Sequence, residues 1–218
     1  MEILWEYREQ LWRGLIVTVT ITAAAAVLTM AIALLLGGLA SARARWIARP
    51  ARVLIEVFRG IPALAQLFWL FFVLPAFGIR LSPFFCGVVG LSLCFGAYGG
   101  EIVRGAVAAF GKGQREAAIA LNFPRWRFVL TVMAPQLVVT LTPMFGNLLI
   151  ELLKASSLVS LITLSDLTFQ AKSIMRIQLN STEVLIFLVV AYFLLARVIS
   201  LGTLRLERLA GGTWRGRG

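Results

Sequence analysis

Two acid–base pairs stand three residues apart, Glu56 with Arg59 and Glu101 with Arg104. At that spacing both side chains share one helix face and can form an ion pair. All four lie within about two helical turns of the end of an apolar stretch, where partial hydration lowers the cost of charge. A proton relay would need carboxylates nearer the middle of a membrane, so structural ion pairs are expected. Gln66 and Asn147 are polar without charge inside apolar stretches. Interhelical hydrogen bonding and the lining of a polar pathway are both open to them.

The stretch GAVAAFGKG, residues 105–113, suggests a phosphate-binding loop, but five residues separate Gly105 from Gly111, and Gly113 stands where the Mg²⁺-binding hydroxyl is required. ATP binding by this chain is therefore rejected. With no histidine in the sequence, imidazole metal ligation and a histidine base are excluded. No catalytic residue, metal site or cofactor is expected. Cys86 and Cys94, eight positions apart in one apolar run, would be about 12 Å apart along a helix, beyond disulfide reach, and read as small core residues.

The elements that hold these residues are those of an all-α membrane protein. The chain has 218 residues, 60% hydrophobic and 14% charged, against about a quarter charged in an ordinary soluble domain. Apolar runs recur at the length needed to cross a hydrocarbon core of roughly 30 Å. Five spans are expected, at about 15–40, 53–74, 83–110, 128–151 and 184–204, forming one transmembrane domain over residues 1–218. Pro62, Pro135 and Pro143 would kink or interrupt them. GAYGG, 96–100, offers a small-residue face for close helix packing. The stretch 154–182 is too polar to cross, and its short apolar centre reads as re-entrant or interfacial. The opening residues lack the basic start and cleavage site of a signal peptide, so none is expected to be removed. Ile3, Leu4, Tyr7 and Leu11 share a face, as in a short helix lying in the interface.

The net charge of +11 does not point to nucleic acid, because the basic residues sit in short loops beside apolar spans. Arg43, Arg45, Arg49, Arg52, Lys112, Arg115, Arg125, Arg127, Arg205, Arg208, Arg215 and Arg217 fall on one side, against Arg8, Arg13, Arg80, Lys172 and Arg176 on the other. The richer side marks the cytoplasm, which puts the N-terminus outside and the C-terminus in the cytoplasm.

Between the third and fourth spans lies a cytoplasmic segment, 111–136, of a different character. Gln114–Leu121 is rich in Ala and Leu and can form a short helix with Arg115 and Glu116 facing water. Asn122 tolerates the left-handed conformation that ends helices, and Pro124 can open the next one. A helix, a sharp turn and a helix re-entering the membrane are expected.

Glu116 to Pro135 resembles the EAA-x3-G-x9-I-x-L-P motif of permease subunits of bacterial ATP-binding-cassette importers. Glu116, Ala117, Ala118 and Pro135 match it; Asn122 replaces the glycine, and Val132 and Ala134 replace Ile and Leu. LWRGLIVTVTIT, EVFRGIPALAQLFWLFFVLP, GAYGGEIVRGAV and LLKASSLVSLITLSDL are similar, in order and spacing, to the polar amino acid branch of that family. The resemblance implies a dimer of five-helix subunits in the bacterial inner membrane. Residues 113–122 become a coupling helix docked on a cytoplasmic ATP-binding subunit, with Arg115, Glu116, Ala117, Ala118, Asn122 and Pro135 as its working residues. The partners implied are that subunit, a periplasmic or lipid-anchored substrate-binding protein and a second permease subunit, identical or not.

Family members that carry cationic amino acids often place two carboxylates seven residues apart after the fourth span, where this chain has Leu148 and Ala155. Arginine, lysine and histidine are therefore expected to be poor substrates. Glu151, three residues before Lys154, is expected to be paired. Gln66, Asn147, Leu148, Glu151 and Ala155 are the candidate substrate pathway. The wording from Gly146 to Gln170 most resembles permeases for ectoine and hydroxyectoine, zwitterions without a cationic side chain. The rival readings are an ion-coupled secondary transporter and a purely structural membrane subunit.

Overall fold

A computed structural model describes residues 5–178 and 182–215, so Ile3, Leu4 and Arg217 of the readings above lie outside the described residues. Among the described residues four helices are long and apolar enough to cross a membrane: Arg8–Ala40, Pro83–Ala109, Arg125–Ile162 and Thr182–Leu209. A fifth span is made if the bent pair Arg45–Gly60 and Ala63–Phe77 counts as one.

Helix α1, Arg8–Ala40, starts after a turn at Tyr7 and carries Leu11 straight into the span, while Ile3 and Leu4 of the expected interface helix lie outside the described residues. Its buried side runs through Gly14, Thr18, Ala25, Ala33 and Gly37, a stripe of small residues at helical spacing. From Ala25 onward the stripe lies along α4, Pro83–Ala109, whose own small residues complete the contact, while Gly14 and Thr18 sit against Asp166 and Leu167. A methyl group on Gly99 would come 2.6 Å from the Cβ of Ala33, and one on Gly37 would come 2.7 Å from the carbonyl oxygen of Gly100. Lipid supplies no hydrophobic drive between helices, so this closeness, with its dispersion contacts, is what joins them. Ser92 Oγ adds a hydrogen bond across to the Ala25 carbonyl at 3.1 Å. Helix α4 starts on an Ser82 cap, whose hydroxyl accepts from the Phe85 N–H at 3.2 Å, with Pro83 at the first helical position. Cys86 and Cys94 are free and buried within it.

The second span differs from its expected form. Helix α2, Arg45–Gly60, begins inside what reads as a loop, and α3, Ala63–Phe68, follows after a break at Ile61 and Pro62; the two axes meet at 95°. The cause is local. Proline bars the helical region to the residue before it, and Ile61 sits extended at ψ 126°. Helix α3 runs on through a π turn, Trp69–Val73, and a 3₁₀ turn, Leu74–Phe77, to Gly78 at φ 84°.

After the short helix α5, Lys112–Ala120, the chain re-enters through α6, Arg125–Phe128, a π turn, Val129–Met133, and α7, Ala134–Ser156. The wide turn precedes Pro135, whose ring cannot accept the ordinary α-helical carbonyl beneath it. Pro143 is carried inside α7 without a break. A 3₁₀ turn, Ser157–Ile162, and Thr163 in the left-handed region lead to α8, Leu167–Gln178, and then to α9, Thr182–Arg215, longer than the 184–204 span expected. The main core gathers Ile21, Leu67, Leu91, Phe145, Leu152 and Ile162 from α1, α3, α4 and α7 with its following turn.

Candidate functional site

Helix α5 projects from one end of the bundle between the spans of α4 and α7. Its closing turn is fully hydrogen-bonded: the Phe123 N–H donates to the Ala118 carbonyl at 2.9 Å and the Asn122 N–H to the Ile119 carbonyl at 2.9 Å. Asn122 stands at φ 57°. These two crossed bonds around one left-handed residue form a Schellman motif, which satisfies carbonyls a helix end would leave bare. Asparagine fits because its short polar side chain tolerates that conformation better than other non-glycine residues.

One contact ties α5 to α7, and a second joins the span ends on either side of it. The side-chain amides of Gln114 and Gln136 face each other at 3.1 and 3.4 Å, joining α5 to the first turn of α7. Phe110 meets Phe128 edge-on with ring centroids 5.9 Å apart, closing the two span ends beneath it. Neither glutamine stood out in the sequence. Each is an ordinary helix residue by type, and only the fold sets them opposite one another.

The far side of α5 is open. Glu116 and Ala117 are exposed, Ala118 is half-buried, and Ile119 and Leu121 are 68% and 75% exposed, while Arg115, also exposed, borders a hollow shared with Arg52 and Arg104. Trp126 stands out beside them. Exposed apolar side chains thus cluster with charges on a projecting helix. Pro135 lies exposed at the second position of α7, next to Gln136.

The pathway candidates divide between two faces of α7. Leu148 is buried in the core, where a methyl on Gly99 would lie 3.1 Å from it, and Ala155 is half-buried against the same core. Asn147 and Glu151 point the other way, exposed in line with Thr140, Met144 and Lys154. Gln66 is buried: its Nε2 donates to the Phe58 and Ile61 carbonyls at 2.8 and 3.0 Å, bracketing the break between α2 and α3, while its Oε1 has no partner among the described residues. The structure thus gives Gln66 a bonding role inside its own broken span.

Of the expected ion pairs, Glu101–Arg104 is made, bidentate at 2.6 and 2.8 Å. Glu56–Arg59 is not: Arg59 lies over the Tyr98 ring, 5.3 Å from its centroid, and its carbonyl accepts from the Tyr98 hydroxyl at 3.4 Å. Glu151–Lys154 is not made either, both side chains being exposed on α7.

A second polar centre, unforeseen from sequence, lies where α8 meets α1 and α9. Asp166 is fully buried and caps α8, accepting from the Phe169 and Thr168 N–H groups at 2.9 and 3.3 Å. The Leu167 N–H donates to Thr18 Oγ1 at 3.0 Å, and the Thr168 and Tyr192 hydroxyls share a hydrogen bond of 2.9 Å. Burial pushes the Asp166 carboxyl up to about 6, against the lowering pull of its two amide bonds and Lys172. The members stand at 18, 166–168 and 192, too far apart in sequence to suggest contact.

The sequence model of the inner membrane component of binding-protein-dependent transport systems matches residues 31–210. The chain belongs to this family. It is thus a multi-pass inner-membrane component, and the ion-coupled alternative is not favoured. Among its relatives, a probable amino-acid ABC transporter permease of Sinorhizobium fredii is 48% identical over 168 residues, 74% of this chain and 70% of that protein. The glutamine transport system permease of Escherichia coli K12 is 38% identical over 177 residues, 80% and 81% of the two chains. The arginine transport system permease of Bacillus subtilis is 36% identical over 146 residues, 66% and 67%. A solved amino acid ABC transporter with histidines superposes with a TM-score of 0.87 at 31% identity, covering 94% of this chain and 96% of that one. The inward-facing methionine transporter gives 0.77 at 21% identity, a likeness of fold.

Proposed function

We propose that this chain is the permease subunit of an ATP-driven, binding-protein-dependent importer for amino acids or related zwitterions without a cationic side chain. It has no chemistry of its own; ATP hydrolysis belongs to a separate cytoplasmic subunit. The observation that carries this reading is α5, a short helix locked at its end by Asn122, bonded to α7 through Gln114 and Gln136, and presenting Glu116, Ile119 and Leu121 to a partner. A rigid helix tied to a span can transmit the position of a docked ATPase into the membrane, since only contacts that differ between states shift a conformational equilibrium.

On this reading the arginine-rich end of the bundle is cytoplasmic and the N-terminus lies outside. Residues 1–218 act as one transmembrane domain. The exposed line of Asn147, Glu151 and Lys154 on α7 supports a second permease subunit, because charges facing lipid are costly and a facing subunit would cover them around a shared pathway. Leu148 and Ala155 leave that pathway without the paired carboxylates a guanidinium would need. The relatives include both a glutamine and an arginine permease, so the reading rests on Leu148 and Ala155 alone, with ectoine or hydroxyectoine a second substrate class of the same charge type. With the ATPase and a binding protein in proteoliposomes, ATP-dependent uptake of labelled glutamine or ectoine should exceed that of arginine. The opposite order would overturn the substrate reading.

A further inference from the structure

A cavity of about 250 Å³ opens at the end of the bundle where α1 stops, between α2, α4 and α5. Three arginines line it, Arg52, Arg104 and Arg115, over a floor that includes Val107, Phe128 and Met133. Their hydrogen bonds are only partly used. Arg52 donates through Nε to the Ala40 carbonyl at 3.2 Å, and its two Nη groups have no acceptor among the described residues. Arg104 spends Nε and Nη2 on Glu101 and keeps Nη1. Arg115 makes no hydrogen bond or ion pair among the described residues. No carboxylate among the described residues lines the cavity, and Glu101 offsets only Arg104, which leaves an excess of two positive charges around an apolar-floored hollow.

We infer that this cavity binds the phosphate of an anionic phospholipid. Guanidinium forks match phosphate oxygens in geometry and charge. Basic pockets between membrane helices on the cytoplasmic side suit anionic headgroups. Ligand cavities for drug-sized molecules run to roughly 300–1,000 Å³, so this one has room for a headgroup rather than a nucleotide. Val107, Phe128 and Met133 offer an apolar wall toward the membrane, which an acyl chain would use and free phosphate would not. A bound phosphate would join Arg115 of α5 to Arg52 and Arg104 of the bundle, so lipid charge would brace the projecting helix.

The test is a binding titration of the purified transporter with dioctanoyl phosphatidylglycerol, dioctanoyl phosphatidylcholine and inorganic phosphate, read by thermal shift and by native mass spectrometry. Phosphatidylglycerol should bind at least about tenfold more tightly than either of the others. Arg52→Gln should weaken it about tenfold, the value of one charge-assisted hydrogen bond. Ala108→Trp, which fills the cavity without removing charge, should do the same, and Arg52→Lys should recover part of the loss. Equal binding of the two lipids, or no effect of either Arg52→Gln or Ala108→Trp, would overturn the assignment. Inorganic phosphate binding as tightly as phosphatidylglycerol would give the cavity to free phosphate and overturn the lipid reading.

Discussion

Replacing Asn122 with valine tests the closing turn of α5. At φ 57° a β-branched side chain is a steric outlier, at about 1–2 kcal/mol for the left-handed conformation alone. If the turn relaxes instead, it loses the Phe123-to-Ala118 and Asn122-to-Ile119 bonds, at about 0.5–1.5 kcal/mol each. Either route costs about 1–3 kcal/mol, which raises the opening of this turn, and the exchange of its amides, by roughly 5-fold to 150-fold. Asn122→Gly keeps the conformation without a Cβ and should exchange like the native protein. Hydrogen exchange by mass spectrometry on peptides covering 117–124 reads the turn, and ATP-dependent uptake in proteoliposomes reads its consequence. Valine should raise exchange there and lower uptake per ATP hydrolysed, while glycine should do neither. Native-like exchange in Asn122→Val, or equal damage from glycine, would refute the argument.

Two further outcomes follow from the packing and the buried acid. Gly37→Val should cost about 1–3 kcal/mol or more, because backbone of Gly100 cannot retreat from the new side chain, whereas Gly38→Val, with nothing within 4 Å, should be tolerated; thermal stability in detergent separates them. Asp166 holds its proton up to about 6 in the fold against an ordinary 3.8, so its contribution is fully present below about pH 4 and is lost as pH rises through 6, by about 3 kcal/mol. Asp166→Asn keeps a capping acceptor without that titration. Its melting temperature should gain on the native protein between pH 4.5 and 7.5, and parallel curves would contradict the burial account.

The sequence makes α5 and its turn readable because the signals there are local: an Ala-rich run, Asn122 where a left-handed residue is needed, and Pro124 beyond it. The spans were likewise legible from hydropathy, which counts apolar length. Hydropathy is blind to direction, however, so Val53–Leu74 reads as one span although Gly60, Ile61 and Pro62 turn the chain by 95°. Ion pairing at three-residue spacing was right for Glu101 and wrong for Glu56, because α4 offers Arg59 the Tyr98 ring, a choice made by tertiary contact. Leu148 is a case of the same kind. Its position in the motif says nothing of the Gly99 surface it packs against, which only the fold brings to it.

The central claim is that α5 carries ATPase state into the membrane. Its most direct measurement is uptake of labelled glutamine into proteoliposomes holding the assembled transporter, with and without enclosed ATP, for the native chain and Glu116→Lys. Uptake should require ATP and should fall at least about tenfold in the variant, as for one lost charge-assisted contact, while the permease itself melts unchanged. Uptake that proceeds without ATP, or that survives Glu116→Lys undiminished, would contradict it.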